Sequence, residues 1–445
     1  MKGGFFERIY DMGNKKNKER KTLKELLTEN IPPDSYRSLY AAFIKWFLIA
    51  LVCGAFVGVV GALFGKCLEF ATEFRTEHRF IIFLLPLAGP VILALYRFCD
   101  MYDDKGTNGI ILAARASSGV RFRLAPLIFA ATFLTHIFGG SAGREGAALQ
   151  IGGSFVSPLQ KLLKLDKKGM SILTMCGMSA GFSALFGTPV AAAIFAVEVT
   201  IVGAVQYSAL VPCMISAVTA SLVAHCLGAE AESFIVSGVP MFDQNSVIQL
   251  LSVIAIGIAC AVISAVFCEA MHRAGHLYAK YISNPFLRIM IGGAIVAILT
   301  VLLGTTDYNG AGMDIIKRAF SGEAEPLAFL LKIIFTALTL GCGFKGGEIV
   351  PTFFIGSTLG CVLGRLLGLN PSFGAAIGLI AMFCGVTNCP FASIILSAEL
   401  FGMNGLPFYA VAISISYMLS GYSGLYSAQK FYQSKFRQDR VRIKS

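Results

Sequence analysis

The chain has 445 residues, of which 56% are hydrophobic and only 14% are charged, and its formal net charge is +11. Soluble domains carry roughly 25% charged residues, so this chain has too few to cover the surfaces of soluble domains of this total length. The apolar content also excludes disordered and collagen-like chains, and a membrane protein with many crossings remains.

Both ends of the chain are basic. Residues 1–30 carry eight Lys or Arg against five acids, and residues 430–445 carry six against one. Short basic segments beside membrane spans stay on the cytoplasmic side and attract anionic lipid headgroups. We therefore expect a cytoplasmic leader (1–38), a cytoplasmic tail (429–445) and a multi-pass location in the cell membrane. Nucleic acid is not expected as a partner, because these stretches lack interleaved aromatic residues.

Between the ends, the apolar stretches are short and interrupted. They lie at about residues 40–66, 80–98, 125–138, 148–163, 171–186, 189–204, 208–228, 247–268, 287–304, 326–342, 351–368, 373–386, 391–402 and 405–421. A full crossing needs about 20 residues, and several stretches are shorter. Breaks that contain Gly or Pro, such as 139–140, 187–189 and 346–347, separate many of them. Because unpaired backbone survives in hydrocarbon only against protein or a watery cavity, the pattern predicts discontinuous helices around an ion site.

The chain also contains an internal repeat. The segments FGTPVAAAIFAVE and VTNCPFASIILSAE each open a helix with Pro and carry Glu nine residues later, at Glu198 and Glu399. A Gly-rich break precedes each segment, and the two kinds of match give offsets of 201 and 204 residues. We therefore predict two membrane repeats, 39–228 and 247–428, joined by a more polar linker at 229–246. Structural hydrogen bonding is the expected role of the two glutamates.

An odd number of crossings in each repeat would make the repeats inverted. The expected fold class is thus an all-α polytopic membrane protein of two inverted repeats of broken, tilted helices. Helix N-termini from both repeats would then converge, each with free N–H groups and a partial positive charge. Such a cage binds an anion without a fully charged ligand.

The segment Gly143-Arg144-Glu145-Gly146 places two charges inside a long apolar region, just before a helix. An ionisable residue at membrane depth is a functional candidate. A carboxylate at a helix N-terminus accepts its amide hydrogens and so occupies the place of an anion, and protonation would release it. Glu145 is therefore expected to be both gate and proton carrier, with a purely structural Arg144–Glu145 pair as the alternative.

These motifs resemble those of the chloride-channel (CLC) family of anion channels and proton-coupled antiporters. GGSAGREGAALQIGG is similar to the family's central motif, GGEIVPTFFIGSTLG to its downstream G-G-x-x-x-P motif, and GLYSA to its late Tyr segment. KGTNGI, at 105–110, stands where the family has G-S-G-I-P. The resemblance implies a homodimer with one anion pathway per subunit, two antiparallel halves and cytoplasmic termini.

The resemblance also implies which residues bind the anion. Glu145 falls on the gating glutamate, Thr107 on an anion-coordinating serine and Tyr426 on an anion-coordinating tyrosine. Ile349 and Val350 fall on the segment whose backbone amides face the anion. With their motif neighbours, the expected anion-binding residues are Thr107, Asn108, Gly143, Arg144, Gly146, Ile349, Val350 and Tyr426.

Departures from chloride-transporting members resemble the fluoride/proton antiporter branch of the family. Ala147 follows GREG in place of Pro, GTNGI replaces the serine motif, and Glu348 completes a Gly-Gly-Glu motif. Val350 departs from that branch, where Thr is usual. Val199 stands where many chloride/proton exchangers have an inner proton-transfer glutamate, one place after Glu198. Glu348 is therefore expected to carry the proton instead, with a helix-capping acid as the alternative.

The sequence thus predicts proton-coupled antiport that exports fluoride, with a chloride/proton antiporter or a voltage-gated-type chloride channel as alternatives. Its partners would be a small halide anion, protons and the lipid bilayer. An enzyme is not expected, because the chain has no H-E-x-x-H motif and no paired aspartates within apolar helices. No cofactor or metal is expected, and the 12 cysteines, which lack metal-ligand spacing, are expected to be buried and reduced.

Overall fold

A computed structural model describes residues 36–116, 118–241, 247–432 and 434–436. Most of the predicted leader, part of the linker and the end of the tail lie outside these residues. The chain divides into two compact units, 1–48 and 49–445. Of the first unit, the structure describes the opening turns of the first helix, whose apolar side chains from Leu39 to Leu48 are mostly exposed. The second unit contains all the predicted site residues.

The helices follow the predicted apolar stretches closely. The first repeat contains α1 Tyr36–Glu77, a 3-10 turn Arg79–Leu84, α2 Leu85–Phe98, α3 Thr107–Ala116, α4 Leu124–Ile137, α5 Glu145–Phe155, α6 Ser157–Leu162, α7 Lys167–Phe186, α8 Pro189–Glu198, β1 Ile201–Val202 and α9 Tyr207–Cys226. The second contains α10 Val247–Tyr281, α11 Pro285–Leu303, α12 Met313–Phe320, α13 Ala328–Gly341, α14 Ile349–Leu366, α15 Pro371–Thr387, α16 Pro390–Phe401 and α17 Leu406–Leu419. A short strand β2, Lys430–Phe431, pairs in parallel with β1.

Several helices differ from the prediction for physical reasons. The stretch 148–163 is two helices, because Pro158 in the first turn of α6 has no N–H with which to continue α5. Helices α1 and α10 extend well beyond their apolar stretches, because polar helix-forming residues continue them. Helices α3 and α12 lie outside the predicted apolar stretches; α12 is short and amphipathic, and it buries one face, which includes Ile316 and Phe320.

Within the described residues, seven helical segments are long and apolar enough to cross a membrane. Six further apolar helices have only 10–17 residues, which is too short for a full crossing. Among these seven segments, α7 and α14 are the most enclosed, with 94% and 78% of their most apolar stretch buried. The protein is therefore a polytopic membrane protein in which full spans surround shorter, broken helices.

Glycines bring the backbones of two helix pairs into contact at matching places in the two repeats. Gly152 of α5 faces Gly177 of α7, and a Cβ atom on either would overlap the other's backbone. Gly356 of α14 faces Gly378 of α15 in the same way. Small residues at helix crossings permit this close packing inside a membrane, and it fixes where α5 and α14 lie.

The matched glutamates of the repeat cap each other's helices. Glu198, at the end of α8, accepts from two amides in the first turn of α16, and Glu399 in α16 accepts from two amides in the first turn of α8. The donors are Phe391 and Ala392 for Glu198, at 3.1 and 2.8 Å, and Val190 and Ala191 for Glu399, at 3.0 and 2.8 Å. This exchange confirms the hydrogen-bonding role of both residues. Because each helix end meets the other's start, α8 and α16 are antiparallel, as inverted repeats require.

We expect Glu198→Met to lower the free energy of unfolding by about 1–3 kcal/mol, because two buried amides lose their charged acceptor while the side-chain volume is kept. Thermal unfolding of the purified protein in detergent measures the change. Glu323→Met replaces an exposed carboxylate and is the control that should leave the melting temperature unaltered. Equal melting temperatures for wild type and Glu198→Met would contradict the capping role.

Candidate functional site

The two Gly-rich breaks pair directly with each other. Gly143 N donates to Gly347 O at 2.6 Å, and Gly347 N donates to Gly143 O at 2.7 Å. A Cβ atom on Gly347 would lie 2.6 Å from Gly146 N and 3.1 Å from Glu145 N, so only glycine fits. The pairing therefore holds the starts of α5 and α14, one from each repeat, side by side.

Glu145 is the first residue of α5 and is fully buried. Its Oε2 atom accepts from Arg144 N at 3.0 Å, and its Oε1 atom lies 3.5 Å from Arg144 Nε. A Cβ atom on Gly143 would lie 2.8 Å from Glu145 Oε2. The carboxyl group is thus folded back onto the backbone at the start of its own helix.

A second carboxyl group and a hydroxyl group meet beside Gly146. A Cβ atom on Gly146 would lie 3.2 Å from Glu348 Oε2 and 3.1 Å from Thr107 Oγ1. Glu348 is the N-cap residue of α14, yet its side chain makes no capping hydrogen bond, and its Oε2 atom is buried without a partner among the described residues. Glu348 and Glu145 are close enough to interact electrostatically. The helix-capping alternative for Glu348 is therefore not supported by its geometry.

Gln150 is a site neighbour that sequence reasoning missed. Its Nε2 atom donates to Thr107 Oγ1 and to Gly146 O, both at 3.2 Å. Its Oε1 atom is buried without a partner among the described residues. An amide inside the apolar run that follows Glu145 was the available signal. Gln150 fixes the Thr107 hydroxyl beside the two carboxyl groups.

The first turns of α5 and α14 supply backbone donors at this meeting point. The first N–H groups of an α-helix have no carbonyl partner within the helix. Glu145 and Gly146 open α5, and Ile349 and Val350 open α14, all of them buried. These amides and the helix dipoles form a donor patch of the kind that binds an anion.

Tyr426 lies close to the same carboxyl groups. It is 4% exposed, and its hydroxyl group has no hydrogen-bond partner among the described residues. It is near enough to Glu348 and Glu145 for electrostatic interaction. It also lines a cavity of about 610 Å³. The phenol group therefore stands between the buried site and an open space.

Asn108 and Arg115 of α3 hold the segment that follows Tyr426. Asn108 Oδ1 accepts from Ala428 N at 2.9 Å, and Arg115 Nη1 donates to Ala428 O at 2.5 Å. Asn108 thus positions the Tyr426 segment, and its contact with an anion stays a prediction. The structure brings the other expected site residues together around Gly146 and the Gly143–Gly347 pair.

Two charged contacts at the site have no counterpart in the sequence motifs. Arg144 Nη2 is hydrogen-bonded to Glu232 Oε1, a residue of the linker. Lys345 Nζ lies 3.7 Å from Asp104 Oδ2 and 4.6 Å from the centre of the Tyr96 ring. The Lys345–Asp104 contact joins the loops that lead into α14 and α3. Both contacts connect residues far apart in the chain, so no local pattern reports them.

The cysteines fit the prediction with one clear exception. All 12 are free thiols, and nine of them are buried. Cys226, at the end of α9, is exposed, and Cys67 and Cys99 are partly exposed. Across the described ranges, no group of three or more His, Cys, Asp or Glu is arranged to hold a metal ion.

Fold and site together define an inverted-repeat membrane transport protein, with broken helices whose N-termini meet at an anion-type site. The sequence profile of the family described as Voltage gated chloride channel matches residues 91–421. That range is well over half of the chain, and the chain belongs to this family.

Individual relatives agree with the family profile. The chain is 36% identical over 398 residues to the "Chloride/fluoride channel protein" of Pseudomonas syringae pv. tomato. The aligned region covers 88% of this chain and 87% of that protein. It is 24% identical over 414 residues to the "H(+)/Cl(-) exchange transporter ClcA" of Vibrio cholerae, with 86% and 88% covered.

Solved structures share the fold. The crystal structure of a CLC-type fluoride/proton antiporter matches with a TM-score of 0.83 and 35% identity, over 89% of this chain and 100% of that chain. A slow cyanobacterial Cl−/H+ antiporter matches with a TM-score of 0.73 and 20% identity, over 84% and 94%. The predicted fold class of two inverted repeats of broken helices is confirmed.

Proposed function

We propose that this protein is a proton-coupled antiporter that exports fluoride, and that Glu145 and Glu348 carry the proton. One observation carries the proposal: two buried carboxyl groups from different repeats interact where the starts of α5 and α14 meet, Glu145 beside Gly143 and Glu348 beside Gly146. A channel needs no proton carrier at its anion site, whereas an antiporter requires groups that bind a proton and an anion in turn.

Glu145 would act as the gate. Ionised, its carboxylate lies over the start of α5 and takes the place of an anion. Protonated, it loses the charge that the helix start attracts, so the side chain can swing away and the anion can take its place. Movement of one side chain would therefore exchange a proton for an anion at the same position.

The anion would be held by neutral donors from both repeats. These are the first-turn amides of α5 and α14, the Thr107 hydroxyl group and the Tyr426 hydroxyl group, which has no other partner among the described residues. Fluoride is small and strongly hydrated, so it requires donors that are close and strong. The names of the Pseudomonas relative and of the solved fluoride/proton antiporter support fluoride over chloride.

Glu348 would be the second proton carrier. Val199 occupies the position expected for an inner proton-transfer glutamate, so a proton that passes Glu145 needs another acceptor. The unpartnered Oε2 atom of Glu348 lies beside Gly146, and Glu348 is close enough to Glu145 for electrostatic interaction. A proton passed between these carboxyl groups would cross the site along the anion's own path.

The remaining predictions about the assembly belong to the same proposal. The protein would be a homodimer with one anion pathway per subunit, in the cell membrane, with both termini in the cytoplasm. Its two repeats would be 39–228 and 247–428, with the linker 229–246 between them. The reciprocal capping by Glu198 and Glu399 supports this division, because it relates equivalent positions of the two halves.

Reconstitution in liposomes tests the proposed function. With potassium fluoride inside, purified protein should release fluoride while protons enter in a fixed ratio, recorded together with a fluoride electrode and a pH electrode. Liposomes loaded with chloride should show at least about tenfold slower efflux, since one hydrogen-bond difference at a buried site corresponds to roughly that factor. Empty liposomes provide the background rate.

Each alternative function has its own outcome in this experiment. Fast chloride efflux with little fluoride efflux would replace fluoride with chloride as the substrate. Anion efflux without proton entry would mean a channel. A protein that releases neither anion would remove the proposal altogether.

A further inference from the structure

Arg144 has two carboxylate partners, one that is hydrogen-bonded to it and one that lies nearby without a hydrogen bond. Its Nη2 atom is hydrogen-bonded to Glu232 of the linker. Its Nε atom lies 3.5 Å from Glu145 Oε1, and neither of these two atoms has a hydrogen-bond partner within the described residues. Arg144 is therefore held firmly by the linker and only loosely by the gate.

Packing fixes the linker where it meets Arg144. Glu232 N donates to Phe186 O at 3.1 Å, at the end of α7. Phe234 N donates to Leu400 O at 3.3 Å, and its ring stacks on Phe320 with centroids 4.6 Å apart. The Glu232 side chain is only 17% exposed. Its contact with Arg144 is thus part of the folded structure and differs from a surface ion pair between two mobile side chains.

The cost of burying a charge gives this contact a function. The Arg144 side chain is 10% exposed, and a buried cation left without a partner is unfavourable by several kcal/mol. If Glu145 were the only counter-charge, each protonation or movement of the gate would leave Arg144 unpaired. A second carboxylate that stays in place keeps Arg144 paired when Glu145 is protonated or moves.

We propose that Glu232 is a positioning residue for the gate: it holds Arg144 and balances its charge, so that Glu145 is free to take up a proton and move. The inference rests on the proposed function, because it assigns a regulator to the same gate. It also gives the linker between the repeats a role in transport.

Other charged and titratable groups face Arg144 and Glu145. Glu69 of α1 and His136 of α4 interact electrostatically with Arg144, and Glu348 and Tyr426 do so with Glu145. Among the contacts of the described residues, Glu232 alone forms a hydrogen-bonded ion pair with Arg144. Glu232 also interacts electrostatically with Glu145 directly, so a change at Glu232 acts on the gate both through Arg144 and by this like-charge interaction.

Glu232→Gln tests the inference because it removes the charge and keeps the shape. Glu145 is then the only carboxylate that remains within ion-pair distance of Arg144 among the described residues, and the pair tightens with the gate ionised and closed. We expect fluoride turnover at neutral pH to fall about tenfold and the pH of half-maximal transport to drop by about one unit, as a charge a few Å away produces. The measurement is initial fluoride efflux from liposomes between pH 4.5 and 8.

Three further variants separate this mechanism from a general effect. Glu230→Gln neutralises an exposed carboxylate two residues away and should leave the pH profile in place. Glu232→Asp keeps the charge and should show the same pH dependence of fluoride efflux as the wild type. In a Glu145→Gln background, Glu232→Gln should add no further change, because the gate charge on which it acts is gone.

If Glu232→Gln does not fold, the double variant Arg144→Gln/Glu232→Gln can be measured in its place. Removing both members of a buried ion pair is tolerated better than removing one. Without Arg144, Glu145 has no cation beside it, and the pH of half-maximal transport should rise.

An unmoved pH profile in Glu232→Gln, or the same loss of turnover in the Glu145→Gln background, would overturn the inference, even if the wild-type protein is shown to be an antiporter. If the wild type moves no anion, the proposed function fails and this inference fails with it.

Discussion

In Glu145→Gln, proton movement coupled to fluoride efflux should fall by on the order of a hundredfold, the lower end of what a positioned proton-transfer group contributes. Glutamine resembles the protonated carboxyl group in shape, so the donors at the start of α5 would no longer be covered by a charge. Fluoride should still leave the liposomes, now at a rate independent of pH. Simultaneous fluoride and pH electrodes record both quantities on one sample.

Glu399→Gln is the matched control for this variant. It makes the same chemical change in a glutamate that hydrogen-bonds to helix amides away from the site. The control should keep its fluoride-to-proton ratio, even if the protein becomes less stable. Intact proton coupling in Glu145→Gln would rule out the gate role and would return Glu145 to a structural pair with Arg144.

For Glu348→Ala we expect fluoride turnover to drop by about a hundredfold, because the site loses the second group that can hold a proton. The bound proton on Glu145 would then have no second carboxyl group nearby to accept it, and each cycle would wait for water to reach the site. The loss should appear in turnover rather than in the concentration of fluoride that gives half-maximal efflux. Efflux measured over a range of internal fluoride concentrations separates the two.

Glu348→Gln distinguishes proton transfer from a purely structural role. The amide keeps the size and the oxygen acceptor of the side chain, but it cannot take up a proton near neutral pH. It should therefore be as slow as Glu348→Ala. Recovery of wild-type turnover in Glu348→Gln would show that Glu348 serves only to shape the start of α14.

The sequence predicted the helices and the central motif residues well, because those features depend on neighbouring residues. Apolar runs that end at Gly or Pro gave most helix boundaries within a few residues. The repeat of Pro and Glu pointed to matched helices, and Glu198 and Glu399 do bond to helix starts. The prediction was weaker where a helix continues with polar residues, as at the end of α1, or is short and half polar, as in α12.

Partners distant in the chain were beyond prediction from one sequence. Arg144 and Glu232 are 88 residues apart, and Asn108 and Ala428 are 320 apart. Nothing in the local pattern of the linker marks Glu232 as different from Glu230, which is exposed. The helix packing that brings the linker over α7 makes that distinction.

By itself, the sequence determined that this is a membrane protein of broken, repeated helices with Glu145 and Glu348 as its exceptional charges. Composition and local spacing are sufficient for that, because hydrocarbon penalises every charge and every unpaired backbone group. Only the tertiary structure decided which groups meet: Gly143 with Gly347, the Glu348 carboxyl group with Gly146, and Arg144 with Glu232. Such meetings depend on how glycine-lined helices from separate repeats pack, and no single segment contains that information.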